Sequence, residues 1–478
     1  MTHVINSLLF ETRCPDETLS FNLRYNFAQT YQQQITEVID EVCSQYVTDD
    51  ELIQIDKLEL DLGVFSTHTL GTDFKSVLRA TFEKQLSQHL SKTEPAKRQQ
   101  QTQLSQAETL AYFLLNGTLP WFANEDGIDI NEIAQKVLVN QANMFRHFFY
   151  QNRFKAWVWQ RVLFQLNPAS KQLVIQLAPD LKKSEELFTV WITALTNKAT
   201  GLSSNTALQQ QLADVSNVLL HNAQLLFKEP DDVQLLHQVF ENHIEEIFKS
   251  EAVLVARLKT ELTGIIAGNS SIPTASPISK EQADELIKAA IANAESSVPA
   301  TFASESETAA DEGEKYAVKY AGIVLLHPFL KTFFTRLNLL DDNQWKNMDA
   351  AFRAVHLLKY LSNGEQEVPE YSLVFEKILC GLSVNTPIPL NVQLTPDETE
   401  QATMLLTDVI GHWSALKNSS IDALRETFLK RDGLITKKEN SWLLQVEQKT
   451  FDVLLDMIPW GYATISLPWN KYLLYVEW

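Results

Sequence analysis

Glycine is scarce, at 14 residues in 478. None falls in a GxGxxG, a Walker loop or a GxSxG elbow, so the backbone cradles that hold phosphates or expose a nucleophilic serine are missing. Cysteine is scarcer. Cys14, Cys43 and Cys380 are odd in number, far apart and without CxxC spacing, which excludes a disulfide framework and fits a reducing, cytoplasmic compartment. None has an adjacent histidine or base to hold a thiolate. HExxH is absent. His237 and His243 are six apart and point to different sides of a helix, so no metal site is expected. The acidic pairs Asp40–Glu41, Asp231–Asp232 and Glu245–Glu246 are sequence neighbours on helices and do not face each other. No catalytic residue and no cofactor site is expected, and the chain reads as a non-enzyme.

Positive charge is in the minority, with 40 Lys and Arg against 60 Asp and Glu, for a formal net charge of -20. Such a surface repels nucleic acid and anionic membranes, so neither is an expected partner. Long apolar runs are missing too. The longest, "AGIVLLHPFL", is broken by His327 and Pro328, far short of the ~20 residues a spanning helix needs. The start, "MTHVINSLLFETRC", lacks the basic region and cleavage site of a secretory signal.

What is present is mostly helical in pattern. His3–Thr12 reads as a strand. A helix is predicted over about Glu17–Tyr46, with Tyr31, Ile35, Val38, Ile39, Val42 and Tyr46 in one stripe, while Leu19, Phe21, Leu23, Tyr25 and Phe27 alternate as a strand would and leave its start open. "ELIQIDKLELDLG" (Glu51–Gly63) alternates apolar and polar residues, as a half-buried strand does. A helix over Phe74–Lys92 closes a strand-helix-strand-helix module at residues 1–95, and the polar run "SKTEPAKRQQQTQLSQ" follows as a linker. Residues 105–263 form a helical array without a fixed repeat. In it Asn116–Gly117 stops a helix, "INEIAQKVLVNQANMFRHFFYQNRFKAWVWQRVLFQL" is long and amphipathic, and helices follow near 184–197, 206–227 and 231–263. Residues 264–315, rich in Ser, Ala, Pro and Glu, are a linker that buries too little apolar area to fold alone. Residues 316–478 are helical at about 316–337, 343–362, 370–381, 395–416 and 419–430. "NSWLLQVEQ", "YATISL" and "KYLLYVEW" then read as strands. The expected fold is mainly α and multi-domain, with small α+β modules at both ends.

Aromatic residues punctuate this pattern. Trp121, Trp460 and Trp469 each follow a proline, which fixes the backbone beside a large apolar side chain. Each either anchors a turn on its own core or meets a partner, where tryptophan is enriched. The tail "LPWNKYLLYVEW" adds Tyr472, Tyr475 and Trp478. It reads as a final strand with Leu473 and Tyr475 on one face and Leu474, Val476 and Trp478 on the other. That pattern predicts burial on both faces and an edge position open to a partner strand. These six aromatics are the candidate partner-binding residues.

Four stretches carry a family resemblance. They are "ELIQIDKLELDLG", "YFLLNGTLPWF" (Tyr112–Phe122), "AGIVLLHPFLKTFFTRLNLL" (Ala321–Leu340) running into "AVHLLKYLSNGEQEVPEYSLVFEKILCGL", and the end from "FLKRDGLI" to Trp478. In this order they resemble the tape measure proteins of contractile injection systems, over most of residues 1–125 and 316–478. The resemblance implies a structural role in particle assembly and in control of inner-tube and sheath length. It implies inner-tube, hub or spike, or baseplate proteins as partners, and no catalytic residues. A compact assembly chaperone or baseplate or hub adaptor is the alternative. A ruler must be long, and 478 helical residues would reach about 700 Å. Turns and strands break this chain, so either its helices unravel or only Gly264–Lys315 extends, to roughly 170 Å.

Overall fold

In the computed structural model the described residues are 8–14, 17–46, 55, 57–66, 69–91, 95–120, 123, 127–198, 205–268, 313–390, 392–417 and 419–478. The fold is mainly α, with 18 α-helices among these residues and a small mixed sheet near the C-terminus. The chain divides into two compact units, one of residues 1–110 and 119–129, the other of residues 111–118 and 130–478.

In the first unit, α1 (Glu17–Tyr46) and α2 (Thr69–Ser91) pair along the predicted stripe. Tyr31, Ile35, Val38 and Val42 are buried against Phe74, Leu78, Phe82, Leu86 and Leu90. Both sets recur every three to four residues, which puts them on single helix faces. Lys75 to Glu37 at 2.6 Å and Arg79 to Glu41 at 2.7 Å flank the seam. The strands expected in this unit are not formed by its described residues. Residues 8–14 and 57–66 belong to no ladder, while Met1–Ser7 and most of Glu51–Asp56 lie outside the described residues. Leu58, Leu60 and Leu62 still alternate with exposed Lys57, Glu59 and Asp61 and pack on the helix pair. The period of two was read correctly, but a strand also needs a neighbour to bond. The polar run read as a linker is helical from Pro95, in α3 (Pro95–Asn116).

The second unit opens with the helical array. The long helix expected from Ile130 is three: α4 (Ile130–Asn140), α5 (Ala142–Gln151) and α6 (Ala156–Gln165). Asn152, at the end of α5, turns its side-chain amide back to the Phe148 carbonyl at 2.8 Å. The Arg153 carbonyl freed by that break accepts from the Trp159 indole at 3.0 Å. The helices expected over 206–227 and 231–263 are likewise interrupted, near Asp214, Asn222 and Lys249–Glu251. Aromatic packing fills the array. Phe145, Phe148, Phe149 and Trp159 form one cluster, and Phe188, Trp191 and Phe240 a second.

The C-terminal part carries a five-stranded sheet in the order β1 (Lys315–Val318), β4 (Gly433–Lys438), β5 (Ser441–Val446), β7 (Leu473–Glu477) and β6 (Thr464–Ile465). A small hairpin joins β2 (Leu340–Asp341) to β3 (Gln344–Trp345). Neighbours in the main sheet are antiparallel except β5 and β7, which run parallel. β1 covers Lys315, the last residue of the expected linker, and Tyr316–Val318, the start of the helix expected over 316–337; β4 starts at Gly433 of the turn "RDG" and covers Leu434–Lys438, for which no element is expected. Their inward residues Val318 and Ile435 are buried. The sheet packs on the apolar run Ala321–Leu326, which is wholly buried, through β5, and on the short helix Val374–Leu379 through β1.

Candidate functional site

Two places concentrate polar chemistry, and both lie in the second unit. The first is a buried ionic joint between the array and the C-terminal part. Arg161, on α6, is fully buried. Its Nε donates to Glu370 Oε1 at 3.1 Å, its Nη1 to the carbonyls of Leu114 and Leu115 at 3.1 and 2.8 Å, and its Nη2 to the Asn385 carbonyl. One turn on, Gln165 donates to the Ile388 carbonyl at 2.6 Å and accepts from the Glu370 amide at 3.0 Å. The same Glu370 oxygen accepts from Lys377 Nζ at 2.7 Å. Two buried cations thus share one carboxylate oxygen. Burial pushes the Lys377 ammonium down to about 8, against the pull of Glu370 and with the help of Arg161. The Leu114 and Leu115 carbonyls belong to the last turn of α3, whose final carbonyls have no helical partner of their own. Gly117 follows with φ of 72°. A side chain there would meet the Arg161 guanidinium at 2.7 and 2.8 Å. The "NGT" that reads as a helix stop is therefore also the backbone that lets Arg161 reach across.

The second place is the tail. Trp469 is buried, and its indole donates to the Leu379 carbonyl at 3.0 Å. Asn470 donates to the Ile378 carbonyl at 2.7 Å, and Trp345 to that of Cys380 at 2.8 Å. These three carbonyls end the short helix Val374–Leu379, so the Pro-Trp-Asn turn caps it. Trp460 donates to the Leu325 carbonyl at 3.0 Å and meets Phe329 edge to face. Trp478 donates to Asp452 Oδ2 at 3.1 Å, and Asp452 Oδ1 accepts from the buried Arg431 at 2.6 Å. The Tyr472 ring lies 3.3 Å from the Lys437 ammonium, which also faces Trp442 at 4.7 Å. Burial lowers the Lys437 ammonium from its ordinary value.

Of the six aromatics singled out, Trp460, Trp469 and Trp478 hold their own C-terminal fold, and Tyr472 covers a lysine. Tyr475 is exposed beside Leu473, and Trp121 lies outside the described residues. The predicted two-sided burial of β7 is corrected, since Leu474 and Val476 are buried while Leu473 and Tyr475 face out. Nor is β7 the edge, because β6 pairs with it beyond β5. A terminal strand need not be an edge strand when an earlier segment folds back over it. Sequence reasoning missed Arg161, Glu370 and Lys377. Residues so far apart carry no local signal, except that a charged Arg sits within the apolar run "AWVWQRVLFQL".

Outside these two places Lys359 and Glu376 form a further buried pair at 3.7 Å, and burial raises the Glu376 carboxyl from its ordinary value. Burial, then Asp40, raises the Cys43 thiol to about 11, and burial raises Cys380 well above its ordinary value. Thiols held protonated in this way are poor nucleophiles. Among the described residues no group of His, Cys, Asp or Glu is arranged to hold a metal, and no helix is long and apolar enough to cross a membrane.

These features define a mainly helical protein with a small C-terminal sheet, in which buried charges bind one element to another. The sequence matches the family model described as "Contractile injection system tape measure protein" over residues 2–478, and the chain belongs to that family. No curated protein and no solved structure matches it.

Proposed function

We propose that this chain is a non-enzymatic assembly protein of a contractile injection particle and acts on the length of the inner tube and sheath. The family match along residues 2–478 carries this reading. Its partners in the proposal are inner-tube, hub or spike, or baseplate subunits, met during assembly in the cytoplasm. Tyr475 with Leu473 is the proposed contact surface of the C-terminal part, being the exposed apolar pair on an ordered strand. Trp121 stays a candidate from the sequence alone.

The alternative, a compact assembly chaperone or baseplate or hub adaptor, gains support from the ionic joint. A chain stretched along a tube would have to part Arg161 from Glu370, and breaking one partner from a buried pair costs about 3–5 kcal/mol. Two length series separate the readings by electron microscopy of particles. In one, helices are removed from or added to the array; in the other, residues 269–312 are shortened or lengthened. Particle length that steps with the array supports a ruler that opens the joint. Unchanged length in both series, with normal assembly, overturns the ruler and leaves the compact factor.

A further inference from the structure

In the first unit, Lys57–Leu62 has the burial of a strand without the bonding of one. Leu58, Leu60 and Leu62 sit half-buried on the core of α1 and α2, and Lys57, Glu59 and Asp61 face out. This two-residue period belongs to a pleated, extended chain. Yet no backbone N–H or C=O of these six residues bonds to any described residue. Beyond them Gly63, with φ of 74°, turns the chain, and its amide bonds only the Asp61 side chain at 3.0 Å. Val64 is fully exposed, and Leu8 and Leu9 are 58% and 82% exposed. A row of peptide groups unpaired among the described residues, on a seated apolar face, is a template for strand addition.

We propose that Lys57–Leu62 is a docking edge that pairs with an extended strand of another protein component, and that this strand is flanked by Lys or Arg. Charge selects that occupant. Residues 1–129 hold nineteen Asp and Glu against nine Lys and Arg, so two copies repel each other as wholes, whereas a basic segment gains on approach. Backbone bonds supply the affinity, and the net negative charge of residues 1–129 supplies the choice of partner. The proposal concerns a different unit from the C-terminal contact suggested above and does not depend on it.

Hydrogen exchange on the full-length chain, free and within purified particles, tests it. The free chain exchanges the Lys57–Leu62 amides rapidly at every concentration. In the particle, alternate amides of the segment slow by about 100-fold or more. Glu59→Pro with Asp61→Pro removes two donors from one edge and leaves the seated leucines. It abolishes that protection, while Glu59→Ala with Asp61→Ala keeps it. The α2 amides, measured in both variants, report whether the unit still folds. Slow exchange in the dilute free chain overturns the proposal, because the segment then has an internal partner. Slowing that grows with free-chain concentration overturns it in favour of self-pairing. Fast exchange in particles that contain the chain overturns it outright. Absence of the chain from particles would instead overturn incorporation, a separate result.

Discussion

At residue scale the joint rests on one glycine and two shared cations. Gly117→Ala places a side chain at positive φ against the Arg161 guanidinium. Such strain costs on the order of 1–3 kcal/mol, and Arg161 must also give way. Denaturant unfolding will show a stability loss in that range or larger, while an alanine at exposed Gly63, also at positive φ but with open space around it, shows the backbone part alone. Lys377 gives a pH test. Its folded value of about 8 lies below the ordinary 10.5, so between these values the unfolded chain holds more protons. Stability contributed by this group therefore rises with pH across that window and is lowest below pH 8. The difference between wild type and Lys377→Met will grow in favour of wild type from pH 8 to 10.5, by roughly 3 kcal/mol at full effect. A flat difference would mean that the folded ammonium keeps its ordinary value, the pull of Glu370 offsetting its burial.

At the scale of elements, β7 separates folding from contact. Leu474 points into the core and Tyr475 points out. Leu474→Ala will cost about 2–4 kcal/mol in thermal or denaturant unfolding. Tyr475→Arg with Leu473→Ser will change stability by less than about 1 kcal/mol and will reduce incorporation into particles, scored by quantifying the chain in purified particles. Full incorporation of that double variant contradicts the proposed C-terminal contact. Removing Tyr472–Trp478 as a block tests neither point cleanly, because it also takes away the Asp452 bond of Trp478 and the pairing of β7 with β5.

The same elements show what could be read from sequence. α1 was legible over Tyr31–Tyr46, where the apolar stripe has a clear period, and not at its start, where Leu19, Phe21, Leu23, Tyr25 and Phe27 alternate as a strand would although the chain is helical from Glu17. β1 and β4 were not, because their pairing is set by partners over a hundred residues apart. Lys57–Leu62 shows the reverse, with an alternation visible in sequence and a ladder absent among the described residues. The tail was half legible. Its aromatic content marked importance, but only the fold shows that three indole N–H groups satisfy carbonyl or carboxylate oxygens inside the C-terminal part.

At the scale of the molecule the two flanks of residues 269–312 fall within one compact unit. On the near side the helix Ala252–Gly268 ends the array. On the far side the Gly313 amide bonds the Lys437 carbonyl at 2.9 Å, at the end of β4. The array and the C-terminal part are meanwhile tied through Arg161, Gln165 and Glu370. While that tie holds, the separation of Gly268 from Gly313 is set by the folded unit that holds both and not by the number of residues between them. The central claim is that the array and the C-terminal part act as one body. The most direct measurement is the length distribution of particles assembled with residues 269–312 cut to half. The account predicts normal assembly and an unchanged mean length. A mean length that falls in proportion to the residues removed would contradict it.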